Sequence, residues 1–245
     1  EEGRIGFDEP LASVMPGFLA AHPPSDARAG AITIGQLLTH SSGITDDVTQ
    51  GRFPPGLDFR RTNMPAIAAA ALASPLGSAP GTAFSYNNVN YVLLGMAVEA
   101  RTGQGYERAC RERVLAPLGI LNARLDPGWR ILGAYGGWRM PVRDYARFLA
   151  HFLPERGLIG TPQADWPRFD LGGGAAYTIG ALTRPWGQAA NFWHAGAWSW
   201  QDDVRSASHS AWFVMMGTRL RYVVADAPRV SDGARGDLDR VMWAA

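Results

Sequence analysis

The 245 residues carry 23 basic and 22 acidic side chains, with 47% apolar and 18% charged residues, as expected of a globular chain with a substantial core. The net charge of +1 is scattered rather than striped, which argues against a nucleic-acid groove or an anionic membrane surface as partner, and no apolar run is long enough to be a membrane segment. A single cysteine, Cys110, excludes an internal disulfide and any multi-cysteine metal site.

In chain order, Glu1 to Phe18 contains prolines and glycines that predict a loop with one short helical turn. Ile32 to His40 reads as a helix opened by Thr33, with Gln36 completing a capping box, Leu37 and Leu38 facing the core, and Ser41-Ser42-Gly43 ending it. Met64 to Ala73 is an alanine-rich helix stopped by Ser74-Pro75. After the turn Ala79-Pro80-Gly81-Thr82, apolar residues at Val89, Val92, Leu93, Met96 and Ala97 predict a helix to Thr102, stopped by Gly103. Tyr106 to Leu115 and Pro141 to Leu153 complete the helical part, with Tyr145, Phe148, Leu149 and Phe152 on one face of the latter. Beyond Gly157 the pattern changes. Ala175 to Leu182, Phe192 to Trp200 and Ala211 to Thr218 read as strands, and Asp237 to Trp243 as a closing helix. The layout is α+β, one domain over 1–245, mostly helical over 1–156 and mostly strand over 157–245.

Several segments resemble, in order, the motifs of the serine β-lactamase-like family, which includes class C β-lactamases, D-Ala-D-Ala carboxypeptidases and related esterases. Thr33 to Ile44 contains Leu37-Leu38-Thr39-His40-Ser41-Ser42-Gly43, similar to its "LLTHTSG". Pro80 to Asn88 resembles "PG-x-x-F-x-YSN", with Asn87 in place of serine. Pro117-Leu118-Gly119-Ile120 resembles "PLGM", and Gly136-Gly137-Trp138 with Asp144 and Phe148 resembles a further family segment. His194-Ala195-Gly196 falls where the family has K-T-G or H-x-G. The likeness runs from about residue 1 to about residue 218. It implies a β-lactamase/transpeptidase-like fold: a helical subdomain packed with an antiparallel sheet.

The resemblance also implies a site. A serine hydroxyl attacking an acyl carbonyl needs a base, and Tyr86 is the family's match for it, provided nearby positive charge draws its pKa down from about 10. Asn88, two residues on and expected to point the same way in an extended turn, donates to the substrate carbonyl or holds the lysine. His194, Ala195 and Gly196 are expected on an edge strand where the acyl donor adds as a further strand and a backbone N–H completes an oxyanion hole. His194 either binds a substrate carboxylate or shapes the pocket, and Trp193 and Trp198 form apolar walls. His40 is read as structural, bracing the turn that follows it, and Ser42 has no base beside it in sequence. The reading calls for no metal and no cofactor, and for a small-molecule or peptide substrate.

All 23 basic residues are arginines. Arginine keeps its proton, so no Ser-x-x-Lys pair stands among these residues. Glu1-Glu2-Gly3-Arg4-Ile5-Gly6-Phe7-Asp8-Glu9-Pro10 resembles the family segment that follows the catalytic helix. The expectation is therefore a C-terminal portion whose serine and lysine lie just ahead of Glu1, inactive and marginally stable by itself. His194 in place of lysine leans toward the peptidase and esterase branches. The rival is a catalytically silent binding or sensor module. It is kept open by Asn87, by the absence of the family's usual asparagine near Thr218, and by the tract Trp200 to Val204.

Overall fold

The computed structural model describes residues 5–151, 166–186, 189–201, 206–216 and 219–226. Helices come first and antiparallel strands last, an α+β chain. Contacts divide it into two compact units: Glu1–Met140 with Thr161–Gly172 and Ala176–Gly180, and Pro141–Gly160 with Gly173–Ala175 and Ala181–Ala245.

The first unit opens with two short helices, α1 (Leu11–Val14) and α2 (Pro16–Ala21), where the sequence suggested one. Proline explains both: Pro16 is suited to the first position of a new helix, and without an N–H it cannot prolong the old one. After a 3-10 turn over Ala27–Ala31, Thr33 opens α3 (Ile34–Leu38) with both halves of the capping box formed. Gln36 N donates to Thr33 Oγ1 at 3.3 Å, and Thr33 N donates to Gln36 Oε1 at 2.9 Å. Leu37 is fully buried, while Leu38 is only half-buried.

Helix α4 (Met64–Leu72) and helix α5 (Val89–Thr102) pack side by side. The stripe Val89, Val92, Leu93, Met96 and Ala97 is buried as its spacing requires, and Gly103, at φ +66°, stops α5. Gly95 permits close approach on this helix. A Cβ there would stand 2.6 Å from Ala134 Cβ and 2.7 Å from Met64 Sδ. Helix α6 (Tyr106–Cys110) continues into a π turn over Arg111–Leu115, in which Ala116 N donates to Arg111 O. Cys110 is half-buried, and burial pushes its thiol up to about 11, the packed thiol that its helical setting suggests. The two-residue strands β1 (Arg124–Leu125) and β2 (Trp138–Arg139) pair across α7 (Gly133–Gly136).

Strands β3 (Phe169–Gly172) and β4 (Ala175–Tyr177) are neighbours joined through Gly172-Gly173-Gly174, all at positive φ. The stretch Ala175 to Leu182, read from sequence as one strand, is broken. Gly180, at φ +86°, turns the chain after β4.

In the second unit, α8 (Val142–Ala150) lies against β8 (Arg219–Asp226). Burial pushes the α8 phenol of Tyr145 up to about 12. Strands β5 (Leu182–Trp186), β6 (Ala189–Gln201), β7 (Ser206–Met216) and β8 form an antiparallel meander in chain order, with a register shift between Val214 and Met215. The expected closing helix Asp237–Trp243 lies outside the described residues. Among the described residues no helix is long and apolar enough to cross a membrane.

The turn after α3 gives a test of backbone constraint. Gly43 has φ +85° and a Cβ there would come within 2.4 Å of Ser78 O, whereas Gly51 has φ +75° with nothing within 4 Å. Both substitutions to alanine carry the left-handed penalty of about 1–2 kcal/mol. We expect Gly43→Ala to lose about 2 kcal/mol more than Gly51→Ala in urea denaturation, because a backbone carbonyl must also move. Equal losses would mean that the 78 loop yields without cost.

Candidate functional site

The two loops that flank α3 and α5 are fastened together along their length. Gly77 N donates to Gly43 O at 2.9 Å, Gly81 N to Ser41 O at 2.7 Å, and Ser85 N to His40 O at 2.8 Å. Side chains continue the seam. Ser42 Oγ donates to Asn90 Oδ1 at 2.6 Å, Asn87 Nδ2 to Ile44 O at 3.1 Å, and Tyr91 OH to Leu38 O at 3.0 Å.

His40 sits at the middle of this seam. It is 1% exposed and has φ +54°, a left-handed conformation that histidine tolerates better than most residues. Its Nδ1 receives the Asn87 N–H at 3.2 Å and the Asn90 Nδ2 amide at 3.0 Å. A backbone N–H can only donate, so Nδ1 bears no proton and the neutral ring carries its hydrogen on Nε2. The ring lies 4.3 Å from that of Tyr86, 5.2 Å from Tyr91 and 4.7 Å from Tyr177 (centroid distances). Phe84 stands edge-on at 6.1 Å. Tyr86 therefore rests against a buried, hydrogen-bonded ring while 48% of its own surface stays exposed.

The electrostatics of Tyr86 run against ionisation. Partial burial pushes its phenol up, and the Asp47 carboxylate pushes it further in the same direction. Burial first, and neighbouring phenols second, also hold Tyr91 and Tyr177 well above the ordinary range.

Asn88 is not on an extended turn. It has φ −64° and ψ −24° and stands at the N-cap of α5. Capping falls instead to Asn87, whose Oδ1 accepts from Val89 N at 2.8 Å. Asn87 is fully buried. Where the family motif has a serine, its amide thus cross-links helix start and opposite loop. The Asn88 side chain turns to the loop after Ile44: Nδ2 donates to Thr49 Oγ1 at 3.1 Å, and its backbone N donates to Asp47 Oδ2 at 3.1 Å.

In the second unit, His194, Ala195, Gly196 and Trp198 lie on β6. That strand is interior as far as Trp193, where the pairing with β5 ends at Leu182. From His194 to Gln201 it pairs with β7 alone among the described residues. The expected edge strand is thus an edge over its second half, beginning at His194. Ala195, Gly196 and Ala197 are exposed there. His194 is half-buried, and burial depresses its imidazole pKa, favouring the neutral ring at pH 7. Trp198 stacks with Trp200 at 6.3 Å, and Arg184 lies 6.0 Å from the Trp193 ring centroid.

A family model for Beta-lactamase matches residues 1–225. The chain belongs to the Beta-lactamase family. Among curated proteins it is 38% identical over 130 residues to penicillin-binding protein 4 of Amycolatopsis lactamdurans, a match covering 52% of this chain and 31% of that protein. It is 31% identical over 128 residues to a putative D-alanyl-D-alanine carboxypeptidase of Escherichia coli, covering 51% and 29%. The matched part is thus about a third of each of those Beta-lactamase-family relatives. Among solved structures, D-amino acid amidase of Ochrobactrum anthropi complexed with D-phenylalanine superposes with TM-score 0.69 at 20% identity, over 100% of this chain and 85% of that one. A penicillin-binding protein of Bacillus halodurans superposes at 0.67 and 18% identity, over 98% and 78%. These superpositions establish the fold, with its helices and antiparallel sheet.

Within this family framework, Tyr86 and Asn88 fall in the first unit on one loop, and the four β6 residues fall in the second. His40 braces the turn after it, and Ser42 is consumed in a buried hydrogen bond. Asp47 and Thr49 are the residues that sequence reasoning passed over. The only available signal was a short Asp-x-Thr spacing in a loop, which marks an Asx turn but not its partner forty residues away.

The buried phenols set an alkaline limit. A folded pKa raised above the unfolded value of about 10 leaves stability intact below that value and removes it as pH rises above it. We expect the melting temperature to hold up to roughly pH 9.5 and then fall. In a Tyr91→Phe, Tyr177→Phe double variant, scanned by calorimetry across the same range, that fall is shallower. An identical fall in both proteins removes these phenols as its cause.

Proposed function

We propose that these residues are part of a serine hydrolase that works through an acyl-enzyme on amide or ester bonds. D-amino-acid peptides, β-lactams and small carboxylic esters are its substrate classes. The observation that carries the reading is the placement of Tyr86: a half-exposed phenol on the rigid ring of His40, at the head of a loop that also holds Asn88. The penicillin-binding and carboxypeptidase names of its relatives support the same class.

In this mechanism the serine oxygen attacks the acyl carbonyl while Tyr86 takes the hydroxyl proton. The tetrahedral oxygen is met by backbone N–H groups. The leaving amine or alcohol departs with the proton returned by Tyr86, and water then releases the acyl group. A substrate strand added at the open half of β6 fits the small, exposed Ala195 and Gly196. His194, favoured neutral, serves a substrate carboxylate as a hydrogen-bond donor rather than as a cation. No lysine stands among these 245 residues, and the mechanism needs such a cation beside Tyr86 to turn it into a base.

The upward push on the Tyr86 phenol favours a second reading, a family member that binds acyl or peptidoglycan-like ligands without turnover. A chromogenic ester assay of the full-length product separates the two. For the enzyme we expect Tyr86→Phe to lower kcat/KM about a hundredfold or more, with the melting temperature little changed. Activity untouched by that change would remove Tyr86 as the base, and saturable binding without hydrolysis would favour the silent binder.

A further inference from the structure

The loop between Ile44 and Arg52 holds a polar chain that the roles of Tyr86 and Asn88 do not use. Asp47 Oδ1 accepts the Thr49 hydroxyl at 2.6 Å and the Thr49 backbone N–H at 3.0 Å. Asp47 Oδ2 accepts the Asn88 backbone N–H at 3.1 Å. Thr49 is 2% exposed, so its hydroxyl has no water to turn to. Its only hydrogen is spent on the carboxylate, and Oγ1 can then act toward a third group only as an acceptor. It meets the Asn88 side-chain amide at 3.1 Å, and the Tyr135 phenol also interacts with the Thr49 side chain, leaving Oγ1 the acceptor toward both.

An amide has two ends of opposite character, and its neighbours decide which end faces which way. Here the decision starts at a carboxylate. Asp47 orients the Thr49 hydroxyl, Thr49 draws the NH2 end of Asn88 to itself, and Oδ1 of Asn88 is left to face elsewhere. Among the described residues that Oδ1 accepts no hydrogen bond. The same carboxylate clamps the Asn88 backbone, so the side chain is set at both its root and its tip.

We propose that Asp47 and Thr49 are positioning residues that fix the polarity of the Asn88 amide, so that Asn88 offers an acceptor to an ammonium or a substrate N–H rather than its NH2 face to a carbonyl. The proposal rests on the reading of Asn88 as a residue that touches substrate or the catalytic lysine. It adds a preference within that reading: acyl donors bearing an N–H beside the scissile carbonyl, as N-acyl amino-acid derivatives do, over those with only an ether or methylene there.

Thr49→Val removes the hydroxyl at nearly constant shape, Thr49→Ser restores it, and Asp47→Asn removes the obligate acceptor. The first measurement needs no turnover. In 15N-labelled protein, the Asn88 Nδ2 protons, assigned by their loss in Asn88→Ala, should give two separate, slowly exchanging resonances. These should exchange with water about tenfold faster or more in Thr49→Val and recover in Thr49→Ser. Unchanged Asn88 resonances in a folded Thr49→Val protein overturn the relay. The second measurement uses the full-length product and a matched pair of chromogenic esters, with and without the N–H. Thr49→Val should lower kcat/KM about tenfold for the N–H ester and little for its partner, and should add nothing in an Asn88→Ala background. A Thr49→Val loss that is equal for both esters, or that persists without Asn88, makes Thr49 merely structural and also overturns the proposal. If Asn88→Ala itself leaves both esters unaffected, the substrate role of Asn88 fails while the resonances still report on the relay.

Discussion

Everything local to the candidate site depends on one acceptor atom, His40 Nδ1. Two donors from the opposite loop converge on it, the backbone N–H of Asn87 and the amide of Asn90. Both are buried, so losing the acceptor would strand two polar groups at about 1–3 kcal/mol each. The ring reaches this position only because residue 40 takes a left-handed conformation at the end of α3. That strain, of order 1 kcal/mol, is offset by the seam it permits. A neutral imidazole also presents its faces to the surrounding tyrosines, which a cation locked to a carboxylate would do less freely. Tyr86 is placed by this ring and not by contacts of its own loop alone.

Placement and activation of Tyr86 are separate matters, and the energies show how separate. Bringing a phenol from about 10 to near 7 takes roughly 4 kcal/mol, and Tyr86 begins higher than that because of burial and Asp47. A single positive charge about 4 Å away, at an effective dielectric near 20, supplies about 4 kcal/mol. One ammonium thus matches the ordinary shift of about 4 kcal/mol but does not by itself cover the extra push from burial and Asp47. The many arginines would not replace it in the proposed reaction: they carry charge but cannot exchange a proton near neutral pH. The absence of lysine among these residues therefore bears on the chemistry, while the fold is indifferent to it.

What was legible in the sequence was whatever depends on near neighbours. Thr33 and Gln36 are three residues apart, and the capping box formed as written. The α5 stripe and its Gly103 stop are likewise local, and both held. The family motifs marked Tyr86 and Asn88 as candidates and placed His194 on a strand, as β6 has it, because the motif order is itself sequence. What escaped was decided by partners far along the chain. Asn88 looked free in an extended turn until Thr49, 39 residues earlier, was seen to hold its amide. His40 could be assigned to bracing, but its partners, 47 and 50 residues on, could not. The β6 edge is set by the length of its neighbour: β5 is five residues long against thirteen for β6. The pairing runs out at Trp193, and no pattern within β6 announces it.

Asn87 shows how a departure from a motif can be read physically. A serine there could cap Val89 through its hydroxyl, but a hydroxyl is too short to cap the helix and reach across the seam together. The longer amide does both, accepting from Val89 N and donating to Ile44 O. The substitution therefore adds a fastening between α5 and the opposite loop just where Tyr86 emerges. Asn87 is also fully buried, which keeps its amide out of a ligand's reach. On the proposed reading of this turn as a substrate site, recognition falls to its neighbours on either side, the exposed phenol of Tyr86 and the half-exposed amide of Asn88. The altered residue takes nothing from the site; it stiffens the turn that carries it.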